Sequence, residues 1–399
     1  MTSRLRWVAI GVFMLANTLS FLDRNLLSAV APGLRAEFGM SNEDYGNIVG
    51  AFSLAYALSA PVAGWFLDKA GLNLGISIGL ALWSAVGIVT GFTAGYWSLF
   101  ACRVGLGVAE AANIPAGGKA VGLYLEPRER ALGTAAGQLG ITAGSVGATL
   151  LAGVMTPAYG WRASFIVAGA LGFLWIPLWL WVSRVIPHRE TPAPAVKPVP
   201  LRSDRRYWGL IFATIFGGMT VYSLWTNWTT LFLTHVHRLP EATVNLYHAW
   251  LPPVFSALGA FTGGLLSSRF GGRSESLTDA RLKAILVSAV SLLVTCAVPF
   301  LPTAALATAG ICWSFFWAAA LSANLYALPV DYFGASRAAS GVAALTFAYG
   351  IMQAVLSRYG GRAVDLYGYG PLCVVAGALP LAAWAILRAT SRQQTPPTA

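Results

Sequence analysis

Charged residues stand inside two of the apolar stretches of this sequence. Asp23 and Arg24 lie side by side in the first stretch, and Arg103 and Glu110 lie in the fourth. An ionised side chain at the centre of a bilayer costs at least about 2.5–3.5 kcal/mol, so such residues usually pair and mark a functional site. A guanidinium can bind an anion through two parallel hydrogen bonds. A carboxylate at low dielectric can instead take up and release a proton.

The rise of an α-helix places these charges at different depths. At about 1.5 Å per residue, Arg24 and Arg103 would each lie roughly 10 Å below the outer boundary, and Glu110 roughly 20 Å below it. Asp23 is therefore expected to share a level with Arg103 and to pair with it. The four residues would form a site that binds an anion and exchanges protons. An ion pair that serves packing alone is the alternative.

The remaining sequence supplies long apolar helices to hold these residues. Of the 399 residues, 56% are hydrophobic and 10% are charged, whereas soluble domains carry about 25% charged residues. Repeated apolar runs of about 18 residues or more predict an all-α polytopic membrane protein. Twelve transmembrane helices are predicted, near residues 7–31, 45–67, 74–94, 97–121, 131–155, 163–183, 207–233, 243–267, 283–301, 304–329, 338–357 and 369–387.

The basic residues indicate how the chain is oriented. If the N-terminus is cytoplasmic, most of the 26 Lys and Arg residues fall in cytoplasmic segments, as the positive-inside rule requires. Both termini are therefore expected in the cytoplasm. The net charge of +11 then reflects topology, and no nucleic-acid partner is expected. The expected surrounding is a lipid bilayer, the inner (plasma) membrane of a bacterium.

The chain divides into two similar halves. Residues 1–184 and 207–399 are predicted to form two pseudo-symmetric six-helix bundles, joined by a Pro- and Arg-rich cytoplasmic linker at 185–206. The segments "APVAGWFLDKAG" (60–71) and "AFTGGLLSSRFG" (260–271) align with each other. Each lies at the cytoplasmic end of the second helix of its half. Two such bundles facing each other across a midplane site predict a transporter that works by alternating access.

The first of these segments resembles the loop signature of the major facilitator superfamily. That signature is Gly-x-x-x-Asp-x-x-Gly followed by basic residues, and Gly64, Asp68 and Gly71 match it. The segment "NLG" (73–75) stands where basic residues are usual, so the cytoplasmic gate motif is expected to be weaker here. The resemblance implies the twelve-helix major facilitator fold.

Five further segments resemble the anion:cation symporter family of this superfamily, and within it the hexuronate and galactonate transporters. They are "FLDRNLLSAVAPGLRAEFG", "NEDYGNIVGAFSLAYAL", "RVGLGVAEAANIPAGGKAV", "ERALGTAAGQLG" and "YGWRASF". The resemblance implies symport of an organic anion, such as a hexuronate or an aldonate, with protons as the coupling ion and with no cofactor or metal. Uptake of another small carboxylate by the same mechanism is the alternative.

The resemblance also implies roles for single residues. Arg24 would bind the substrate carboxylate, and Tyr56 and Gln138 would line the substrate pocket. The protonatable pair and its partner would be Asp23, Glu110 and Arg103.

The second half departs from the hexuronate branch. Ala257 stands where that branch tends to carry an Asp, whereas Asn324 matches a family Asn. Thr346 and Tyr349 share one helix face, and Trp225 adds a bulky side chain to the expected pocket wall. The substrate therefore need not be a standard hexuronate.

The sequence fits two other functions, an enzyme and a drug:proton antiporter, less well. It fits a third, a transporter-like sensor, equally well. An enzyme would need an activated nucleophile, and Ser77 in "GISIG" lies in an apolar helix without a His in reach. A drug:proton antiporter of this superfamily often carries a Gly-Pro signature in helix 5. Here that helix reads "GQLGITAGSVGATLLAG" and contains no Pro. A transporter-like sensor would share nearly every feature of a carrier. We expect a transporter rather than an enzyme, acting as a monomer.

Overall fold

The fold is described from a computed structural model, which covers residues 3–126, 128–186, 204–272 and 276–391. Every regular element in these ranges is helical, as the sequence predicts. In chain order the helices are α1 (Ser3–Ala29), α2 (Ala31–Phe38), α3 (Asn42–Ala70), α4 (Leu72–Thr90), α5 (Tyr96–Glu110), α6 (Asn113–Tyr124), α7 (Arg130–Tyr159), α8 (Trp161–Val185), α9 (Arg205–Ala213), α10 (Thr220–Val236), α11 (Glu241–Tyr247), α12 (Leu251–Gly271), α13 (Leu277–Ser291), α14 (Ala304–Phe333), α15 (Ala335–Tyr367) and α16 (Tyr369–Ser391). A π-helical segment (Thr214–Gly218) follows α9, and a 3-10 segment (Leu292–Phe300) follows α13.

The chain forms two compact units. The first comprises Met1–Pro194 with Asn227–Pro253, and the second comprises Ala195–Thr226 with Val254–Ala399. The division into two six-helix bundles at the linker stays a prediction. Most of that linker lies outside the described residues.

Ten helical stretches within the described residues are long and apolar enough to cross a membrane. The fourth predicted span is divided at Ala111 and Ala112 into α5 and α6, and each piece is shorter than the roughly 18 residues that a crossing needs. Large apolar side chains stay exposed along the helices, such as Leu139 at 66% and Leu174 at 69%. Such exposure suits contact with lipid. The chain is thus a multi-pass membrane protein, and the number twelve stays a prediction.

Local chemistry sets the boundaries of α3. The Ser41 hydroxyl accepts a hydrogen bond from the Asp44 backbone N–H, and the Asp44 carboxylate accepts one from the Ser41 N–H, each at 3.0 Å. This capping box satisfies two donors that the first turn leaves free. After α3, Gly71 has φ +78°, a conformation that favours glycine. The last glycine of the loop signature therefore has a backbone role.

Glycines let α7 pack closely against α1. A Cβ atom at Gly140 would lie 2.8 Å from the Met14 carbonyl oxygen, and one at Gly144 would collide with the Thr18 carbonyl oxygen. Small residues at such contacts let helix backbones approach. The contact fixes how α1 is rotated about its own axis.

Aromatic side chains close the first unit towards the Ser3 end of α1. Trp175 and Trp179 stack with their ring centroids 5.5 Å apart, and Phe13 packs edge-on against both at 6.4 and 5.3 Å. Trp175 Nε1 also donates a hydrogen bond to the Val12 carbonyl oxygen at 2.7 Å. These contacts join α8 to α1 and leave the charged residues on the other side of an apolar layer.

The segment Asn227–Pro253 also packs within the first unit. Asn245 Nδ2 donates to the Ala29 carbonyl oxygen at 2.8 Å, at the end of α1. The backbone N–H of Gly33 donates to Glu241 Oε2 at 2.8 Å, so that Glu241 caps the first turn of α2. Helix α11 is thereby held against the end of α1 and the start of α2.

Candidate functional site

A buried ion pair joins α1 to α5. Arg24 Nε donates to Glu110 Oε2, and Ser20 Oγ donates to the same oxygen at 3.0 Å. The side chain of Glu110 is fully buried, whereas that of Arg24 keeps 18% of its surface exposed. Ser20 and Arg24 lie four residues apart on α1, which puts both on the face towards Glu110. The pair therefore has a sealed end at the carboxylate and an accessible end at the guanidinium.

Aromatic rings surround the Arg24 guanidinium. Its central carbon lies 4.8 Å from the ring centroid of Phe21, 5.1 Å from that of Phe52 and 4.5 Å from that of Tyr56. The rings of Phe52 and Tyr56 stack with centroids 6.1 Å apart. Such ring faces attract a cation, and Arg24 Nη2 keeps no hydrogen-bond partner among the described residues. The structure thus places Tyr56 beside Arg24, and its role in a substrate pocket stays a prediction.

The predicted pairing of Asp23 with Arg103 is not formed. Both side chains are buried, yet among the described residues no ion pair within 4.0 Å joins them, and Asp23 Oδ1 and Arg103 Nε have no hydrogen-bond partner. Arg103 instead lies 5.3 Å from the ring centroid of Phe165. The ion pair that does form is Arg24 with Glu110. Neighbouring residues point about 100° apart around a helix, so Asp23 and Arg24 meet different helices.

Asp23 faces the contact between α4 and α8. A Cβ atom at Gly87 would lie 3.8 Å from Asp23 Oδ1 and 3.7 Å from the Cα atom of Gly169. The two glycines leave room beside this carboxylate. Asp23 therefore sits in a buried position of its own, separate from the Arg24–Glu110 pair.

Gln138 lies on α7 and is exposed. Its backbone carbonyl oxygen accepts a hydrogen bond from Thr142 Oγ1 at 3.2 Å. Within the described residues, no hydrogen bond joins its side chain to Arg24 or Glu110. Its predicted place in the pocket stays a prediction.

The predicted residues of the second unit hold varied positions. Asn324 is buried, and its Nδ2 donates to the carbonyl oxygens of Gly263 and Ala320, each at 3.0 Å. One of these bonds ties α14 to α12, so Asn324 has a packing role whatever else it does. Trp225 is 1% exposed. Thr346 and Tyr349 are partly buried on α15, and Thr346 Oγ1 donates to the Val342 carbonyl oxygen at 3.0 Å.

The loop signature has an ionic partner that the sequence did not indicate. Lys119 Nζ donates to the Leu67 carbonyl oxygen at 2.8 Å and to Asp68 Oδ1 at 3.1 Å. This contact joins α6 to the end of α3. Gly64 has open space where a Cβ atom would lie, so this conformation does not itself require a glycine there.

Sequence reasoning missed Ser20 and Phe52 as neighbours of the ion pair. Ser20 could have been found as a polar residue four positions before Arg24 in an apolar run. Phe52 carries no such signal, because an aromatic residue in a membrane helix is ordinary. No group of three or more His, Cys, Asp or Glu residues that could hold a metal occurs in the described part of the chain.

The sequence and fold match known proteins over most of the chain. Residues 13–357 match the sequence profile of the Major Facilitator Superfamily. The chain is 26% identical to the "Hexuronate transporter" of Escherichia coli (strain K12) over 398 residues, covering 94% of this chain and 92% of that protein. It is 27% identical to the "Galacturonate transporter" of Dickeya chrysanthemi over 286 residues, covering 67% of this chain and 82% of that protein.

Among solved structures, the fold resembles a bacterial homolog of the human lysosomal transporter Spinster in an inward-facing and occupied conformation. The TM-score is 0.78 at 20% sequence identity, covering 98% of this chain and 96% of the other. At this identity the likeness concerns the fold alone.

Proposed function

We propose that this chain, which belongs to the major facilitator superfamily, is a proton-coupled symporter of an organic anion such as a sugar acid. The protein is a membrane transporter and not an enzyme, since its relatives and its fold are those of transporters. The buried Arg24–Glu110 pair carries the proposal. A fixed cation that already holds a carboxylate is suited to hold the carboxylate of a substrate.

The pair supports an exchange of partners. Glu110 in its ionised form occupies Arg24, and a substrate carboxylate offers the same chemical group to the same donors. Protonation of Glu110 removes its charge, so that Arg24 would be left uncompensated in a low-dielectric site. An anion that then binds Arg24 restores neutrality. One proton on Glu110 thus accompanies one carboxylate on Arg24.

Asp23 is proposed as the second protonatable group, with Arg103 acting on it from beyond hydrogen-bonding distance. Both are buried, so a change of charge at Asp23 would be felt by the helices around it. Gln138, together with Trp225, Asn324, Thr346 and Tyr349 of the second unit, is proposed to complete the substrate pocket.

The proposed substrate is a sugar acid, because the curated relatives are named as transporters of hexuronate and galacturonate. Both names describe sugars with a carboxylate, which is the group that Arg24 would bind. The aromatic wall formed by Phe21, Phe52 and Tyr56 suits a sugar ring or a shorter carbon chain. Uptake of another small carboxylate therefore stays the alternative, as does a sensor that binds such a ligand.

We propose twelve transmembrane helices with both termini in the cytoplasm, in the inner membrane of a bacterium. In this topology α5 and α6 together form the fourth span, and α15 forms the eleventh. The protein would act as a monomer with lipid as its surrounding.

Transport by purified protein in liposomes tests the proposal. A labelled sugar acid, such as galacturonate or gluconate, should accumulate when the outside is acidic, and a proton ionophore should abolish the accumulation. A screen of short-chain carboxylates under the same gradient would separate the two substrate classes. Counterflow of labelled for unlabelled substrate would exclude a sensor.

Arg24→Ala should abolish counterflow, whereas Arg35→Ala on α2, whose Nε donates to the Met40 carbonyl oxygen, should preserve it. Accumulation that follows a sodium gradient at equal pH would contradict proton coupling. Counterflow by the Arg24→Ala variant at the rate of the wild type would contradict the anion site.

A further inference from the structure

Glu110 keeps one oxygen that neither Arg24 nor Ser20 contacts. Glu110 Oε1 is buried without a hydrogen-bond partner among the described residues. One helical turn further along the chain, Asn113 is fully buried, and both its Oδ1 and its Nδ2 lack a partner in the same part of the chain. Ala111 and Ala112 between them keep right-handed helical torsion angles. Glu110 and Asn113 therefore lie on one face despite the break between α5 and α6.

Asn17 of α1 lies at the level of Asn113. Ser20 contacts Glu110, and two turns towards the Ser3 end Phe13 Cε1 lies 3.7 Å from the Cβ position of Gly117. These two contacts show that α1 runs antiparallel to α5 and α6 in a fixed register.

Asn17 and Asn113 are the residues that this register places opposite each other between the two contacts. Each lies three residues from one contact and four from the other, so both belong to the facing surfaces. Asn17 is 6% exposed, and its Oδ1 is likewise buried without a partner in the described residues.

Four polar atoms without a partner in the described residues thus lie on the facing surfaces of α1 and of α5 and α6, one on Glu110 itself and three about one turn beyond it, above an apolar floor. They are Glu110 Oε1, Asn113 Oδ1, Asn113 Nδ2 and Asn17 Oδ1. The floor is the layer of Phe13 with Trp175 and Trp179. A buried polar group without a partner is costly, and a buried water needs two to four polar partners. This set of atoms supplies them.

We propose that Glu110, Asn113 and Asn17 bind a water molecule, and that this water is the partner which Glu110 keeps when Arg24 turns to a substrate carboxylate. The inference deepens the proposed function and rests on its exchange of partners. Asn113 and Asn17 are positioning residues, since they act on the substrate through Glu110.

The chemistry of the amides explains why asparagine suits these places. An ionised Glu110 needs hydrogen-bond donors, whereas a protonated Glu110 also needs an acceptor. A water that accepts from the Asn113 amide N–H can donate one hydrogen to ionised Glu110 and the other to an amide oxygen. When Glu110 is protonated, the same water can accept from the acid and donate to both amide oxygens. An apolar residue in the place of Asn113 would leave Glu110 Oε1 without this partner in both states. The ionised state would lose more, because hydrogen bonds to charged groups are roughly twice as strong as neutral ones.

Other charged and titratable groups surround Glu110. Arg24 contacts it from α1, and Tyr56 of α3 contacts Arg24. Asp23 of α1 and Arg103 of its own helix act on it electrostatically without contact. None of these is altered by a substitution at Asn113. A change in the titration of Glu110 in such a variant would therefore come from the amide and its water.

Infrared difference spectroscopy of the purified full-length protein can follow the carboxylic C=O band of Glu110 against pH, with Glu110→Gln to identify the band. In Asn113→Leu the midpoint should move upward by about one pH unit, a tenfold change in proton affinity. The band should also move to higher frequency as its hydrogen bond is lost. Asn113→Gln should restore both properties towards the wild type.

One control variant and one second variant show whether the effect is specific to this site. Ser84→Ala removes another buried oxygen that lacks a partner in the described residues, at the α4–α8 contact, and should leave the band unchanged. Asn17→Leu should cause a smaller shift in the same direction, and it stands in if Asn113→Leu does not fold. Unchanged titration in both Leu variants would overturn the proposal.

Two further outcomes separate this site from the transport function. If sodium shifts the Glu110 band in the wild type but not in Asn113→Leu, the site binds a cation. That result would overturn the proposed water site. Titration that depends on Asn113 in a protein whose transport ignores the pH gradient would support the water and contradict proton coupling.

Discussion

Replacing Glu110 by Gln tests the exchange of partners at Arg24. The amide keeps nearly the same volume and can still accept hydrogen bonds from Ser20 and Arg24, but it carries no charge. A hydrogen bond to a charged group contributes about 1.5–3 kcal/mol. In the wild type a substrate carboxylate must displace this interaction near neutral pH, and in the variant it need not.

The affinity of Glu110→Gln for the anion should therefore rise by about ten- to a hundredfold at neutral pH, at about 1.4 kcal/mol per factor of ten. The variant protein without substrate should be less stable, because Arg24 loses its counter-charge. Losing one partner of a fully buried pair costs about 3–5 kcal/mol. The loss here should be smaller, because 18% of the Arg24 side chain remains exposed.

Calorimetric titration at acidic and at neutral pH measures the first effect. Wild-type affinity should weaken as the pH rises, whereas the affinity of the variant should be nearly constant. In liposomes the variant should exchange labelled for unlabelled substrate but should not concentrate it when protons are the only driving force. Glu129→Gln, which removes a carboxylate 3.7 Å from Arg6, is the matched control and should behave as the wild type.

Two results would contradict the exchange of partners at Arg24. One is a Glu110→Gln variant that concentrates substrate under a pH gradient as well as the wild type does, in which case Asp23 would have to carry the proton alone. The other is an affinity for the anion that keeps the pH dependence of the wild type.

The remaining predictions concern anion binding, helix packing and acid stability. Arg24→Lys should weaken anion binding at least tenfold although the charge is kept, because an ammonium lacks the planar fork; tight binding by this variant in a calorimetric titration would move the anion site elsewhere. Gly144→Ala should lower the free energy of unfolding by about 1–3 kcal/mol, because its Cβ collides with α1, and a thermal melt should show no such loss for Gly11→Ala, where the space is open. The Trp161 N–H donates to the Glu37 carboxylate at 2.6 Å. This hydrogen bond and the adjacent Arg162 guanidinium hold the pKa of Glu37 below its ordinary value of 4.5. This lowered pKa stabilises the folded protein above pH 4.5, and the contribution is lost as the pH falls through the folded-state value. Glu37→Gln should accordingly lower the melting temperature at neutral pH, and its difference from the wild type should vanish in acid; an equal difference at both pH values would contradict the assignment.

The class of this protein and most of its candidate site residues could be predicted from the sequence. Long apolar runs can satisfy their backbone groups in a bilayer only as helices, so the helical membrane fold followed directly from composition and spacing. The loop signature at Gly64, Asp68 and Gly71 indicated the superfamily that the match over residues 13–357 confirms. Charged side chains are costly inside a membrane and usually mark a functional site. This rule indicated a site that comprises Asp23, Arg24, Arg103 and Glu110.

Which of these charged side chains contact each other became clear from the packing of the helices. Depth along the helix suggested Asp23 with Arg103, but contact depends also on the rotation of each helix about its axis. The close approach of α7 at Gly140 and Gly144 sets that rotation for α1, and it turns Arg24 and Ser20, rather than Asp23, towards Glu110. A linear sequence does not specify this rotation, because it results from packing between helices that lie far apart along the chain.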